Sequence, residues 1–326
     1  MNMNMNKKKR IFHLLMLSLL FPGCKTVEEG IQVGTFTAKS ERFWKVVSRD
    51  ALAENIGIDF GFTEGPTMHP DGDLLFSDIP ENTIYRFKGR RFEVFRSPSN
   101  HSNGLLAGKD GSLLVCEHGS RSVTRIAPDS TSYTLADNYL GKRLNSPNDL
   151  CQSSRGVIYF TDPPWGLSGL NEDPEKELSF NGVFMLRNGE VTLVDSTLSW
   201  PNGIALSPDE QYLYVANFEG SPGSDQSDQE VFWLRYELDP EGNVTGSSRF
   251  FQASDLSLPG GPDGMKVDRK GNLFLTGPGG ILVVAPDGEH LGTIGLPQPA
   301  SNLVFARGER ILYVTARSSV VRIRLR

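Results

Sequence analysis

The chain has 326 residues, 38% of them hydrophobic and 10% aromatic, so it can bury a large core and lacks the composition of a disordered segment. Its formal net charge is -6. No run of Lys or Arg follows the first ten residues, which excludes an electrostatic nucleic-acid footprint.

At the start, Lys7, Lys8, Lys9 and Arg10 precede an apolar stretch, Ile11 to Phe21, that is too short to cross a bilayer. Together they predict an export signal over residues 1–23. The stretch ends in Phe21-Pro22-Gly23-Cys24, similar to a bacterial lipobox, in which cleavage exposes Cys24 for lipidation; simple secretion is the alternative. Residues 24–40 are then expected as a polar, lipidated tether and residues 41–326 as the folded domain. The expected location is periplasmic or cell-surface, with the lipid at Cys24 as the one contact with a membrane.

Six segments of that domain stack without adjustment. They begin TEGPTMHPDG (63–72), SNGLLAGKDG (102–111), PNDLCQSSRG (147–156), PNGIALSPDE (201–210), PDGMKVDRKG (262–271) and SNLVFARGER (301–310). Each places a polar residue second, then a short apolar strand, a tight turn and a second strand such as LLFSD or VIYFTD. Four of them continue clearly into two further strands. Four antiparallel strands repeated six times predict an all-β, six-bladed β-propeller. The last unit lacks a fourth strand, and ERFWKVV (41–47) is expected to supply it, so that an N-terminal strand closes the ring and removes an open edge.

Cys116 and Cys151 lie inside strand-like runs with no partner at metal-ligand spacing, which marks them as buried thiols; a bridge between them in an exported chain stays open.

If the first strand of every blade lines the axis, the second residue of every repeat reaches one end of the central channel. Those residues are Glu64, Asn103, Asn148, Asn202, Asp263 and Asn302, all carboxylates or amides. Polar groups gathered in one buried place need partners, and an all-oxygen set without Cys or His suits Ca²⁺ or a similar hard cation. Each position taken alone also fits a turn-capping Asn or Asp. The second strand returns to the same face and carries a further polar tier: Asp78, Glu117, His118, Asp162 and Asn217. The longest insertions, 163–182 and 218–230, are expected to overhang that face, with Trp165 and Trp200 beside the mouth.

The motifs FTEGP, SNGL with LLVCEHGSRSVTRI, SPNDL, FTDPPWGL, WPNGIALSPD and GGPDGMKVD resemble the gluconolactonase or regucalcin-like family of six-bladed propellers over about residues 55 to 326, and several, CEHG and TDPPWGL above all, look closer to bacterial gluconolactonases than to the animal regucalcins. The resemblance implies a lactone hydrolase, a carboxylic ester hydrolase, that opens a sugar lactone to its aldonic acid. It further implies one divalent ion, Ca²⁺ first, with Zn²⁺, Mn²⁺ or Mg²⁺ as substitutes. By motif the ion would be held by Glu64, Asn202 and Asp263, and Asn148 would complete its shell or touch substrate. Asp263 would also move the proton. Around the substrate the expected residues are Asn148, Asn103, Glu117, His118, Asp162 and Trp165. The animal members carry a substrate-binding Arg two residues before the PND Asn, where this chain has Ser146, so that contact does not carry over. No GxSxG elbow occurs, which argues against a serine hydrolase. Two alternatives remain: a non-catalytic, metal-stabilised propeller that binds a saccharide or protein, and a hydrolase of other small lactones or esters.

Overall fold

The computed structural model of the protein describes residues 31–220 and 229–326. The export signal, Cys24 and the middle of the second insertion lie outside these residues. Among the described residues no helix is long and apolar enough to cross a membrane.

Six antiparallel sheets follow one another along the chain and form a six-bladed β-propeller. The innermost strands are Thr63–Met68, Ser102–Ala107, Leu150–Gln152, Trp200–Leu206, Met265–Val267 and Asn302–Ala306. Each touches the innermost strand of the next blade, and the sixth touches the first, so the ring is closed around an axis. Strands in the middle of a blade are covered on both faces by neighbouring blades. This is why Leu74–Asp78, Leu113–Glu117, Ile158–Asp162 and Leu273–Gly277 are buried at every position and open on apolar runs rather than alternating, with polar residues only at their ends. The outermost strands, such as Arg91–Arg96 and Ser132–Ala136, are largely exposed.

The apolar core divides the same way. Leu75, Ile84, Leu105 and Val115 pack between blades one and two, and Cys116, Leu150, Phe160 and Phe184 between two and three. Equivalent clusters fill the remaining junctions, including the one between blades six and one around Phe60, Phe76, Phe92 and Tyr313. A buried Phe or Leu contributes about 1.5–3 kcal/mol, so the ring is held by the spaces between blades. The first hairpin turns repeat: Gly72, Gly111, Gly156 and Gly271 all have φ between 82° and 93°, a left-handed conformation that favours glycine. These turns lie on the face opposite the polar residues that open the innermost strands. Cys116 and Cys151 are free thiols, and burial raises both.

The N-terminal segment departs from expectation. Residues 41–47 are not the outer strand of blade six; Phe43–Val46 is a short helix. Phe43, Val46 and Val47 recur at helical spacing and fill the junction between blades five and six, and that period overrides the strand reading. The outer strand of blade six is Leu52–Gly57, antiparallel to Ser319–Arg324. Glu54 in it meets Arg322 and Arg324. Part of the expected tether is also sheet: Ile31–Val33 pairs with Leu52–Gly57, and Thr35–Ala38 pairs with His290–Gly295 at the rim of blade five. Both cover edges that would otherwise leave backbone groups unpaired.

Candidate functional site

At the axis, the residue after four of the six polar positions is glycine: Gly65, Gly104, Gly203 and Gly264. A side chain there would collide with the neighbouring blade. A Cβ would fall 2.0 Å from the Asn103 carbonyl oxygen at Gly65 and 2.1 Å from the Asp263 carbonyl oxygen at Gly203. The missing side chains let adjacent blades cross closely. The Gly104 N–H donates to the Asn148 carbonyl at 2.8 Å, and the Gly203 N–H to the Asp263 carbonyl at 3.0 Å. Hydroxyls on two second strands and at the entry to blade six add to the lacing. Ser77 donates to the Asn103 carbonyl at 2.8 Å, Thr161 to the Asn202 carbonyl at 2.7 Å, and Ser301 of blade six to the Thr63 carbonyl at 2.6 Å. Sequence reading missed these hydroxyls, although Ser77 and Thr161 each immediately precede the carboxylate of the second polar tier.

This lacing delivers Glu64, Asp263 and Asn302 to one place. Glu64 is 3% exposed; its Oε2 accepts from the Gly65 N–H at 2.7 Å and from Asn302 Nδ2 at 3.2 Å. Asn302 also lies 3.3 Å from Asp149 Oδ2, which brings Asp149 into the ring. Burial pushes Glu64 up to about 7, and the Asp149 charge adds to it. Asp263 is raised well above the usual carboxylate range by burial, then by the charge of Glu64 and a hydrogen bond to it. Two carboxyls joined by a hydrogen bond share a proton, since one of them must carry it. The side chains of Asn148 and Asn202 hydrogen-bond to no described residue, and Asn202 and Asp263 are half-buried. Among the described residues there is no group of three His, Cys, Asp or Glu side chains suited to an ion. The donors present are instead a mixture: two carboxyls whose shared proton a cation can replace, and two amides free of protein partners. Such hard oxygen donors fit a divalent cation.

Asn103 turns away from that group, and its Nδ2 lies 3.1 Å from His118 Nε2. His118 is 7% exposed, and burial lowers it to about 4, so the ring is neutral and Nε2 accepts. The rest of the second tier fastens loops. Asp78 accepts from the N–H groups of Gly61 and Phe62 at 2.8 and 3.1 Å, Asp162 from Asn145 N–H at 2.7 Å, and Asn217 from Trp200 N–H at 2.9 Å. Each thereby holds the chain that leads into its own innermost strand. Glu117 is engaged by Asn100 at 3.1 Å and by the Ser120 hydroxyl. Burial raises Asp162 to about 7, while the N–H groups of Asn145 and Ser146 draw it down. Glu117 and Asp162 are thus engaged in fastening loops, Asn103 and His118 bond to each other, and Trp165 stays partly exposed.

Trp165 is 37% exposed and rests on Trp200, with ring centroids 4.5 Å apart. Ser146 fixes the insertion that carries it: its hydroxyl donates to the Pro163 carbonyl at 2.6 Å and accepts from the Gly166 N–H at 2.8 Å. A Cβ on Gly166 would lie 2.7 Å from the His118 Cβ, so the insertion passes directly over the His118 wall.

The model of the SMP-30/Gluconolactonase/LRE-like region matches residues 62–318. The chain is 40% identical to a gluconolactonase of Zymomonas mobilis over 90% of its length and 87% of that protein. Among solved structures, a gluconolactonase from Xanthomonas campestris superposes with a TM-score of 0.79 at 29% identity, covering 93% of this chain and 97% of that one. A calcium-binding regucalcin from Agrobacterium tumefaciens shares the fold at 19% identity, with a TM-score of 0.65 over 82% of this chain and 92% of that one. With its axial motifs inside the matched region, the chain belongs to the SMP-30/gluconolactonase/LRE-like family.

Proposed function

We propose that the protein hydrolyses a sugar lactone of the gluconolactone type to its aldonic acid, aided by one divalent ion, Ca²⁺ first among the candidates, at Glu64, Asn202, Asp263 and Asn148. The observation that carries this reading is the buried Glu64–Asp263 pair at the axial mouth of a propeller whose relatives are gluconolactonases. When bound, the ion would polarise the lactone carbonyl and offset charge on its oxygen. Asp263, half-buried and with its affinity for protons raised, is suited to take a proton from the attacking water. The water oxygen bonds to the carbonyl carbon, the ring ester bond breaks, and the ring oxygen leaves as a hydroxyl carrying the proton that Asp263 returns. Trp165 on Trp200 offers the sugar ring an apolar wall, and Asn103, oriented by His118, offers an amide to its hydroxyls. The basic and apolar opening of the chain supports export and attachment through Cys24.

The test is opening of D-glucono-δ-lactone by wild type and Asp263→Ala, each with and without added Ca²⁺. A loss of at least about a hundredfold in the variant is expected for a general base. Unaltered turnover in Asp263→Ala would remove the assignment. Absence of metal-dependent turnover of any lactone in wild type would favour a binding module instead.

A further inference from the structure

The turn after the second strand of blade six carries Arg317, and its main chain is tied to the start of blade one. The Thr63 N–H and hydroxyl both donate to the Arg317 carbonyl, at 2.7 and 3.0 Å, and Thr63 is the neighbour of Glu64. Gln298 fixes the next residue, accepting from the Ser318 N–H at 3.1 Å. The guanidinium lies 5.4 Å above the Phe62 ring, and its N–H groups donate to no described residue. Arg317 is thus exposed, anchored through its main chain beside the start of blade one and, among the described residues, without an anionic partner.

Ring opening turns a neutral lactone into a carboxylate. That product forms beside Glu64, Asp149 and Asp263, whose carboxylates would offset the charge of a bound divalent ion, so a further cation at the rim favours capture of the acid group. We infer that Arg317, stacked on Phe62, is the carboxylate-recognition residue of this pocket and binds the acid group of the aldonate product. The planar guanidinium suits a carboxylate in two-point contact, and the ring beneath it lowers the entropy lost on binding. The identity of the anion rests on the lactonase reading; the anion site itself does not.

The test titrates D-gluconate into wild type, Arg317→Gln and Arg317→Lys by calorimetry, alongside KM for the neutral lactone and the melting temperature of each. Arg317→Gln is expected to weaken gluconate about tenfold or more, with a smaller change in KM and an unmoved melting temperature, because the side chain is exposed. Arg317→Lys should recover part of the affinity, since it keeps the charge and loses the fork. Equal gluconate affinity in wild type and Arg317→Gln overturns the inference, as does a wild type that binds no gluconate. An equal loss for lactone and gluconate also overturns it, because that assigns Arg317 to the sugar hydroxyls. Wild-type lactone turnover is read separately, so failure of the lactonase reading is distinguished from failure at Arg317.

Discussion

Acid should destabilise this fold through His118, and replacing that residue should remove the effect. His118 is lowered from about 6.5 to about 4 by burial, then by the charge of His101. Between those values the unfolded chain binds a proton that the folded one refuses. The stability contributed by a neutral His118 is therefore complete above about pH 6.5 and is lost as pH falls toward about 4. Going from pH 7 to pH 4.5 costs about 2 kcal/mol from this one group, taking 1.36 kcal/mol per pH unit over most of that range. His118→Asn keeps a polar partner for Asn103 and has no such proton. Urea unfolding of both proteins at pH 7 and 4.5 reads the difference, because the carboxylates that also titrate are common to both. Wild type should lose about 2 kcal/mol more than the variant on acidification. Equal losses would show that His118 is not held neutral by burial, and the Asn103–His118 hydrogen bond would need the opposite donor.

Ser146→Ala removes both hydrogen bonds that fasten the insertion carrying Trp165; a cost of about 1–2 kcal/mol is expected, with faster proteolysis between residues 163 and 181 and a raised KM for lactone. Gly203→Ala would place a Cβ 2.1 Å from the Asp263 carbonyl oxygen, so a loss of at least about 2 kcal/mol in unfolding free energy is expected, accompanied by weakened cation binding. Ca²⁺ must displace the proton shared by Glu64 and Asp263, and Glu64 sits at about 7, so the rise in melting temperature on adding Ca²⁺ should be larger at pH 8 than at pH 5.5. A rise independent of pH would place the ion elsewhere.

What could be read from the sequence was whatever repeats in phase. Glu64, Asp263 and Asn302 occupy the same position in repeating units, and a closed ring converts equal phase into spatial neighbourhood. The same logic fails where a residue has no counterpart in other blades. Leu52–Gly57 shows no alternation, and Glu54 finds its partners only at Arg322 and Arg324, at the far end of the chain. The apolar residues of 41–47 were visible, but their i, i+3, i+4 spacing was outweighed by the need for a closing strand. Asp149 follows Asn148, and its approach to Asn302 depends on side chains that reach across the axis from blades three and six. Arg317 was not legible at all, since a turn residue in one blade carries no periodic signal.

The second polar tier shows how loops recruit the acids that end the second strands. Backbone N–H groups in loops leading into the innermost strands must be satisfied, and Asp78 and Asp162 accept from them, while Glu117 accepts from the Asn100 side-chain amide and the Ser120 hydroxyl. Ser146 belongs to the same economy of hydrogen bonds. Where animal relatives resembled by this chain carry an Arg, a short hydroxyl here reaches Pro163 and Gly166 and pulls the insertion down over His118. A long cation at that position would occupy the space the insertion now fills, as the 2.8 Å separation between a Cβ on Gly166 and the Ser146 Cβ indicates. Closing the mouth from blade three therefore removes charge from that wall, and Arg317, across the ring on blade six, is where a cation remains to meet the product.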